Sequence, residues 1–165
     1  VKQIAVQELA IVSFKKYGSF SNLINPDAPK LAPGLMEFYR DMEQVNLGQT
    51  NIASFSVTHV VTRPKIIQKL EYHNYCGEAM LPLDGDALIY VAPATRSGEV
   101  PPSDQIEVFR IPRGTLVTLR PGVWHQAPFP SGCDILNILV VLPERTYATD
   151  CYITALPEEE HLEII

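Results

Sequence analysis

The sequence has no run approaching the roughly 18 consecutive apolar residues of a membrane-spanning helix. Its start lacks the basic region and apolar core of a secretory signal. A soluble protein is expected. Positive charge is also scarce: 13 Lys and Arg against 19 Asp and Glu give a formal net charge of -6, with the basic residues scattered. Phosphate recognition needs Lys and Arg clustered on one face, so the expected partners are small molecules or proteins, not nucleic acid or membrane. Cysteine is few and odd in number: Cys76, Cys133 and Cys151, without metal-finger spacing. No disulfide framework is expected, Cys76 is expected as an unpaired thiol, and the compartment reads as reducing cytoplasm. Repeats and low-complexity linkers are absent as well.

What is present suits one domain: 165 residues, 46% hydrophobic and 19% charged. Residues 1–50 read as an N-terminal extension of helix and loop, packing on a body formed by residues 51–165. Glu8 to Tyr17 has helix-compatible spacing and stops at Gly18, a residue suited to the left-handed helix end. Ser19 to Pro33 reads as a loop, and Gly34 to Asp41 is ambiguous. From Ile52 the pattern changes to short β-branched and aromatic runs. Strands are predicted at Ile52 to Val61, Ile66 to His73, Glu78 to Leu83, Ala87 to Ala92, Gln105 to Ile111, Thr115 to Leu119, Ile135 to Leu142 and Cys151 to Ala155. Turn residues separate them, as in Asp84-Gly85-Asp86, SGEVPPSD, Pro112-Arg113-Gly114 and Pro121-Gly122. The class is all-β, a sandwich or barrel, with a last helical turn in the acidic tail PEEEHLE.

The stretch LEYHNYCGEAMLPLDG, Leu70 to Gly85, carries ligand chemistry inside an apolar neighbourhood. Glu71 and His73 are two apart, so on a strand their side chains leave one face. The turn-like Asn74-Tyr75-Cys76-Gly77 then returns Glu78 beside them. Two carboxylates and an imidazole converging on one point need a cation between them, or one carboxylate must stay protonated. His125, after a strand and the Pro121-Gly122 turn, is placed to close the set. Hard oxygen and borderline nitrogen donors without thiolate suit one divalent ion, Ni, Mn, Fe or Zn. His59 and His161 belong to no motif.

The arrangement resembles the cupin superfamily, whose first motif runs H-x-H, three or four residues, Glu, six residues, Gly. Glu71 stands at the first histidine, and His73, Glu78 and Gly85 fit the rest. Gly122-Val123-Trp124-His125 matches the second motif, with Pro121 one place out. The resemblance implies a jelly-roll β-barrel, a double-stranded β-helix, preceded here by a short N-terminal helix. A tighter resemblance is to the ureidoglycolate lyases, also called ureidoglycolate hydrolases, small cupins of allantoin degradation in purine metabolism. Phe14-Lys15-Lys16-Tyr17-Gly18 is similar to the family's F-x-x-Y-G, Leu70-Glu71-Tyr72-His73 and Gly77 to Pro82 to its L-E-R-H and T-Q-A-F-x-P, and Val123-Trp124-His125 to its V-W-H-H-P.

That resemblance implies a metal-dependent lyase, usually homodimeric, that releases glyoxylate and urea from ureidoglycolate. The implied ligands are Glu71, His73, Glu78 and His125, with Glu78 or Glu71 as base and Arg110, Arg120, Gln126 and Trp124 around the substrate. The sequence departs from the family pattern in Tyr72 for arginine, Glu78 for glutamine and Gln126 for the second histidine of V-W-H-H. The extra carboxylate improves a hard-cation site and disfavours an anionic substrate, so turnover of ureidoglycolate is expected to be weak. Other readings stay open at this point: a metal-free polar pocket, a cupin isomerase, epimerase or lyase acting on a sugar or sugar acid, and a non-catalytic cupin that binds a small ligand.

Overall fold

In the computed structural model, which describes residues 1–31, 34–96 and 99–165, the short β-branched and aromatic runs form strands. The chain passes through β1 (Lys2–Ile4), β2 (Val6–Glu8), α1 (Ile11–Phe14), β3 (Gly18–Asn22), β4 (Lys30–Leu31), β5 (Phe38–Tyr39), β6 (Ala53–Val61), β7 (Ile66–Ile67) and β8 (Lys69–Tyr72). It continues with β9 (Glu78–Pro82), β10 (Asp86–Val91), β11 (Glu107–Ile111), β12 (Thr115–Leu119), β13 (Phe129–Ser131), β14 (Ile135–Pro143), α2 (Thr146–Thr149), β15 (Tyr152–Ala155) and β16 (Leu162–Ile164).

A five-stranded sheet, in the order β3-β12-β9-β14-β6, lies against a four-stranded sheet, β13-β10-β11-β2. The core between them takes alternate residues from each strand: Leu136, Ile138 and Val140 from β14, Val117 and Leu119 from β12, Ile89 and Val91 from β10, Phe109 and Ile111 from β11. Full burial of side chains of this size stabilises by about 1.5–3 kcal/mol each. The intervening residues of β10, Leu88 and Tyr90, enter a second cluster with Ile67, Leu162 and Ile164, where the three-stranded sheet β1-β16-β7 covers the outer face. β10 is therefore buried on both sides, which is why its sequence, ALIYV, is an unbroken apolar run without alternation. The result is a mostly β sandwich with short helices, as the all-β reading expects.

The N-terminal segment differs from its expected helix and loop. The helix is a single turn at Ile11–Phe14, because Val6–Glu8 is instead drawn into parallel pairing with β11 and no side chain caps the helix start at Ala10. Gly18 does not end it in a left-handed conformation but opens β3. A Cβ there would lie 1.8 Å from the Thr118 carbonyl oxygen, so only glycine permits this approach of β3 to β12. The polar run Ser19 to Asn22 is a strand, paired with β12 from Thr118 to Thr115, with the Ser21 hydroxyl bonded to the Met42 carbonyl and to Glu43 at 2.8 Å each. Ala32 and Pro33, at the end of the expected loop, and Ser97 and Gly98 of the SGEVPPSD turn lie outside the described residues. β13 contains Pro130, tolerated because β13 is an edge strand bonded only to β10. The acidic tail makes a 3-10 turn at Glu158–Glu160 and then the strand β16, which pairs with β1 and β7.

Candidate metal centre

Alternation along β8 sets up the site. Leu70 and Tyr72 pack in the outer apolar cluster, which leaves Lys69, Glu71 and, next in the series, His73 on the other face. The turn that follows is clamped by Asp150, whose carboxylate accepts the Asn74 and Tyr75 backbone N–H groups at 2.8 Å each and lies 3.5 Å from the Cys76 thiol. Gly77 passes against β12, where a Cβ would meet the Leu119 carbonyl oxygen at 2.4 Å. Glu78 then opens β9 opposite Leu119. His125 arrives through backbone pairing with β8: Glu71 and His125 exchange N–H···O bonds of 2.7 and 2.8 Å, while Trp124 does the same with Ala92 at 2.9 and 3.0 Å.

Three of the four groups expected from the sequence, Glu71, His73 and His125, form one cluster, and the fourth, Glu78, touches its two imidazoles. Donor atoms of Glu71, His73 and His125 lie within 4.8 Å of one another. Glu78 Oε2 sits 2.8 Å from His73 Nε2 and 3.1 Å from His125 Nε2. The other ring nitrogens are also committed, His73 Nδ1 to the Asp150 carbonyl at 2.6 Å and His125 Nδ1 to the Val123 carbonyl at 2.9 Å. Each imidazole thus faces an acceptor at both ends. With Nδ1–H donated to a carbonyl, a neutral ring turns its Nε2 lone pair on the ionised Glu78 oxygen, which is repulsive; a second ring proton, a proton on the carboxylate or a cation relieves it.

The cluster of Glu71, His73 and His125 could hold a divalent cation. The carbonyls at Nδ1 fix the tautomer that leaves Nε2 for an ion, as outer partners of metal-bound histidines do. Without an ion, the Glu78 carboxylate and the His125 imidazole favour each other's charged forms. Burial works to raise the Glu78 carboxyl, but His125 and the hydrogen bonds from both imidazoles outweigh it and hold it down at about 2. Burial works to lower His125, and Glu78 reverses this, raising it above the ordinary imidazole range. Beside the cluster, burial and the neighbouring Glu71 push the Cys151 thiol up to about 11, so it stays protonated, with its sulfur 3.8 Å from Glu71 Oε2. The three cysteines are free.

A family profile described as ureidoglycolate lyase matches residues 1–163. The chain belongs to the ureidoglycolate lyase family. This is a cupin-like family of lyases, and the Glu71, His73 and His125 cluster is consistent with a metal-dependent member. No curated protein matches the chain. Among solved structures, a dTDP sugar isomerase from Desulfovibrio desulfuricans G20 is similar in fold, with a TM-score of 0.50 and 11% identity over 86% of this chain and 85% of that one. A variant of Bacillus subtilis oxalate decarboxylase gives a TM-score of 0.44 and 18% identity, covering 65% of this chain; the chain spans only 26% of the decarboxylase.

Around this lyase-family site the remaining expected residues are placed differently. Gln126 is at the cluster, donating from Nε2 to Glu71 Oε2 at 3.1 Å. The charge of Arg110 is taken up elsewhere, by Glu8 at 2.8 Å and Asp86 at 3.0 Å. Arg120 is exposed, its backbone N–H bonded to the Tyr17 carbonyl. The Trp124 ring is in the outer cluster against Tyr72, and its Nε1 donates to Thr95 at 2.9 Å. Asp150 is the residue that sequence reasoning misses. It lies 77 positions from His73, and no local pattern marks it as the partner that holds both this imidazole and the turn behind it.

Proposed function

We propose that the protein is a metal-dependent ureidoglycolate lyase, cleaving ureidoglycolate or a close small hydroxy acid to glyoxylate and urea, with Glu71, His73, Glu78 and His125 holding one divalent ion, Ni, Mn, Fe or Zn, inside a closed cupin-type jelly roll. The observation that carries this is the pair of imidazoles whose Nε2 atoms both face one oxygen of Glu78 while their Nδ1 atoms face carbonyls. When bound, such an ion supplies Lewis-acid polarisation of the substrate's adjacent oxygens. Glu78, locked between the imidazoles, serves as ligand alone. Glu71 is the half-buried carboxylate of the set, oriented by Gln126, and is the base that takes the substrate hydroxyl proton. The hydroxyl carbon becomes the carbonyl of glyoxylate as its bond to nitrogen breaks, and the ureido nitrogen leaves as urea after receiving a proton. Cys151, whose protonated thiol lies 3.8 Å from Glu71 Oε2, is our candidate donor for that proton.

A homodimer fits the outer face of the five-stranded sheet, where Phe55 and Val57 of β6 are 72% and 60% exposed. The free thiols fit a reducing, cytoplasmic setting, and no described helix is long and apolar enough to cross a membrane. The test is glyoxylate release from ureidoglycolate by protein whose divalent metal content has been measured. About one equivalent of metal per chain and release that stops on chelation and returns on reloading are expected, at a rate limited by the extra charge of Glu78. Fully loaded protein that releases no glyoxylate would refute the assignment.

A further inference from the structure

Beside the metal centre is a cavity of about 280 Å³ lined by Arg63, Gln68, Lys69, Tyr90, Gln126 and Phe129 among others. We infer that it is the subsite for the carboxylate of a small organic acid, with Arg63 and Lys69 as its anion-binding groups and Gln126 as its link to Glu71. The lining carries two cations and no acidic residue, in a chain whose Asp and Glu outnumber its Lys and Arg by 19 to 13. Neither cation is paired with a carboxylate among the described residues.

Arg63 is held for the task. Its guanidinium lies over the Phe129 ring, 4.1 Å from the centroid, and one terminal nitrogen donates to the Ala127 and Pro128 carbonyls at 3.3 and 3.4 Å. These partners are neutral. They fix the plane of the guanidinium without cancelling its charge, which leaves the remaining N–H groups for a planar anion. Lys69 shares a face of β8 with Glu71, two residues on, and its backbone is tied by the Tyr90 hydroxyl donating to the Lys69 carbonyl at 3.1 Å. Gln126 is buried and belongs to both places, lining the cavity while its amide donates to Glu71 Oε2 at 3.1 Å. An acid seated here therefore has its charged end on Arg63 and Lys69 and its far end directed towards Glu71. The volume, at the small end of the roughly 300–1,000 Å³ typical of ligand pockets, suits a compact acid better than a sugar nucleotide.

The lyase reading enters only in naming the natural acid, and the test separates the two. Binding of sodium glycolate and of inorganic phosphate to metal-loaded protein is measured calorimetrically for the parent chain, Arg63→Gln, Lys69→Met and the double variant, alongside metal content and melting temperature. Glycolate binding should weaken roughly tenfold or more with each substitution, as expected for loss of a charged hydrogen-bonding partner, and disappear in the double variant, with metal content and melting temperature unchanged. No glycolate binding by the parent, equal affinity in the double variant, or loss of metal from it would each overturn the subsite. Phosphate binding more tightly than glycolate would overturn its assignment to a carboxylate. If the parent binds glycolate through these residues but releases no glyoxylate from ureidoglycolate, the subsite stands and the lyase assignment fails.

Discussion

Glu107 and Glu78 are both ringed by hydrogen-bonding partners, and only Glu78 faces groups that can also hold a metal. Glu107 is held by the Tyr17 hydroxyl, the Lys16 ammonium and, at 3.1 Å, the Gln7 amide. Each of these partners keeps its own proton, and burial pushes the Tyr17 phenol further above its ordinary range. Glu78 instead offers one oxygen to two ring nitrogens whose protons are exchangeable for a metal. Burial opposes the ionised form of both carboxylates, and their partners bring both below the ordinary carboxylate range. The chemistry of the partners, not burial or a depressed titration, distinguishes a ligand from a structural tie. The same contrast explains the Phe14 to Gly18 motif. Phe14 and Tyr17 are in the core, Tyr17 holds Glu107 and Gly18 allows β3 onto β12, so the motif serves the fold and not the metal centre.

The largest expected effect comes from removing one of the exchangeable partners. His125→Ala should lose its divalent metal, by more than the roughly 10–100-fold in affinity that outer partners are worth, as read by elemental analysis and by loss of any metal-induced rise in melting temperature. Retention of full metal affinity would erase the distinction between the two carboxylates.

Asp150→Ala tests the support behind the site and should act on metal and fold together. The Asn74 and Tyr75 N–H groups lose their acceptor and the turn that aims Glu78 loosens, so metal affinity should fall by about 10–100-fold. Urea unfolding of the metal-free protein should show a loss of about 1–3 kcal/mol for the groups left unpaired. A drop in stability with unchanged metal affinity would make Asp150 a purely structural residue.

Glu107→Gln should be the mildest, lowering stability by about 1–2 kcal/mol at neutral pH, after allowance for its partial exposure, without altering metal content. The Glu107 carboxyl is depressed in the folded protein, so its contribution is fully present above the unfolded value of about 4.3 and is lost as pH falls through the lower folded value. Urea unfolding at pH 7 and pH 3 should therefore show the gap between the parent and Glu107→Gln closing in acid. A gap that widens in acid would reverse the assignment of Glu107 as the ionised partner.

What the sequence determined by itself was local. Strand periodicity placed Glu71 and His73 on one face, the turn before Glu78 brought the second carboxylate back, and the Pro121-Gly122 turn marked His125, because each depends on neighbours only a few residues away. The short β-branched and aromatic runs separated by turn residues marked the β class for the same reason. Tertiary structure alone decided the rest. Edge pairing drew Glu8, the start of the expected helix, and Ser19 to Asn22 of the expected loop into strands, through backbone partners about 100 positions away. Asp150 behind His73, Arg63 over Phe129 and Glu8 and Asp86 on Arg110 are contacts between distant segments. A hydrogen bond or ion pair needs only complementary groups within reach, and which of the many candidates come within reach is set by how the sheets pack, a property that no local window of residues contains.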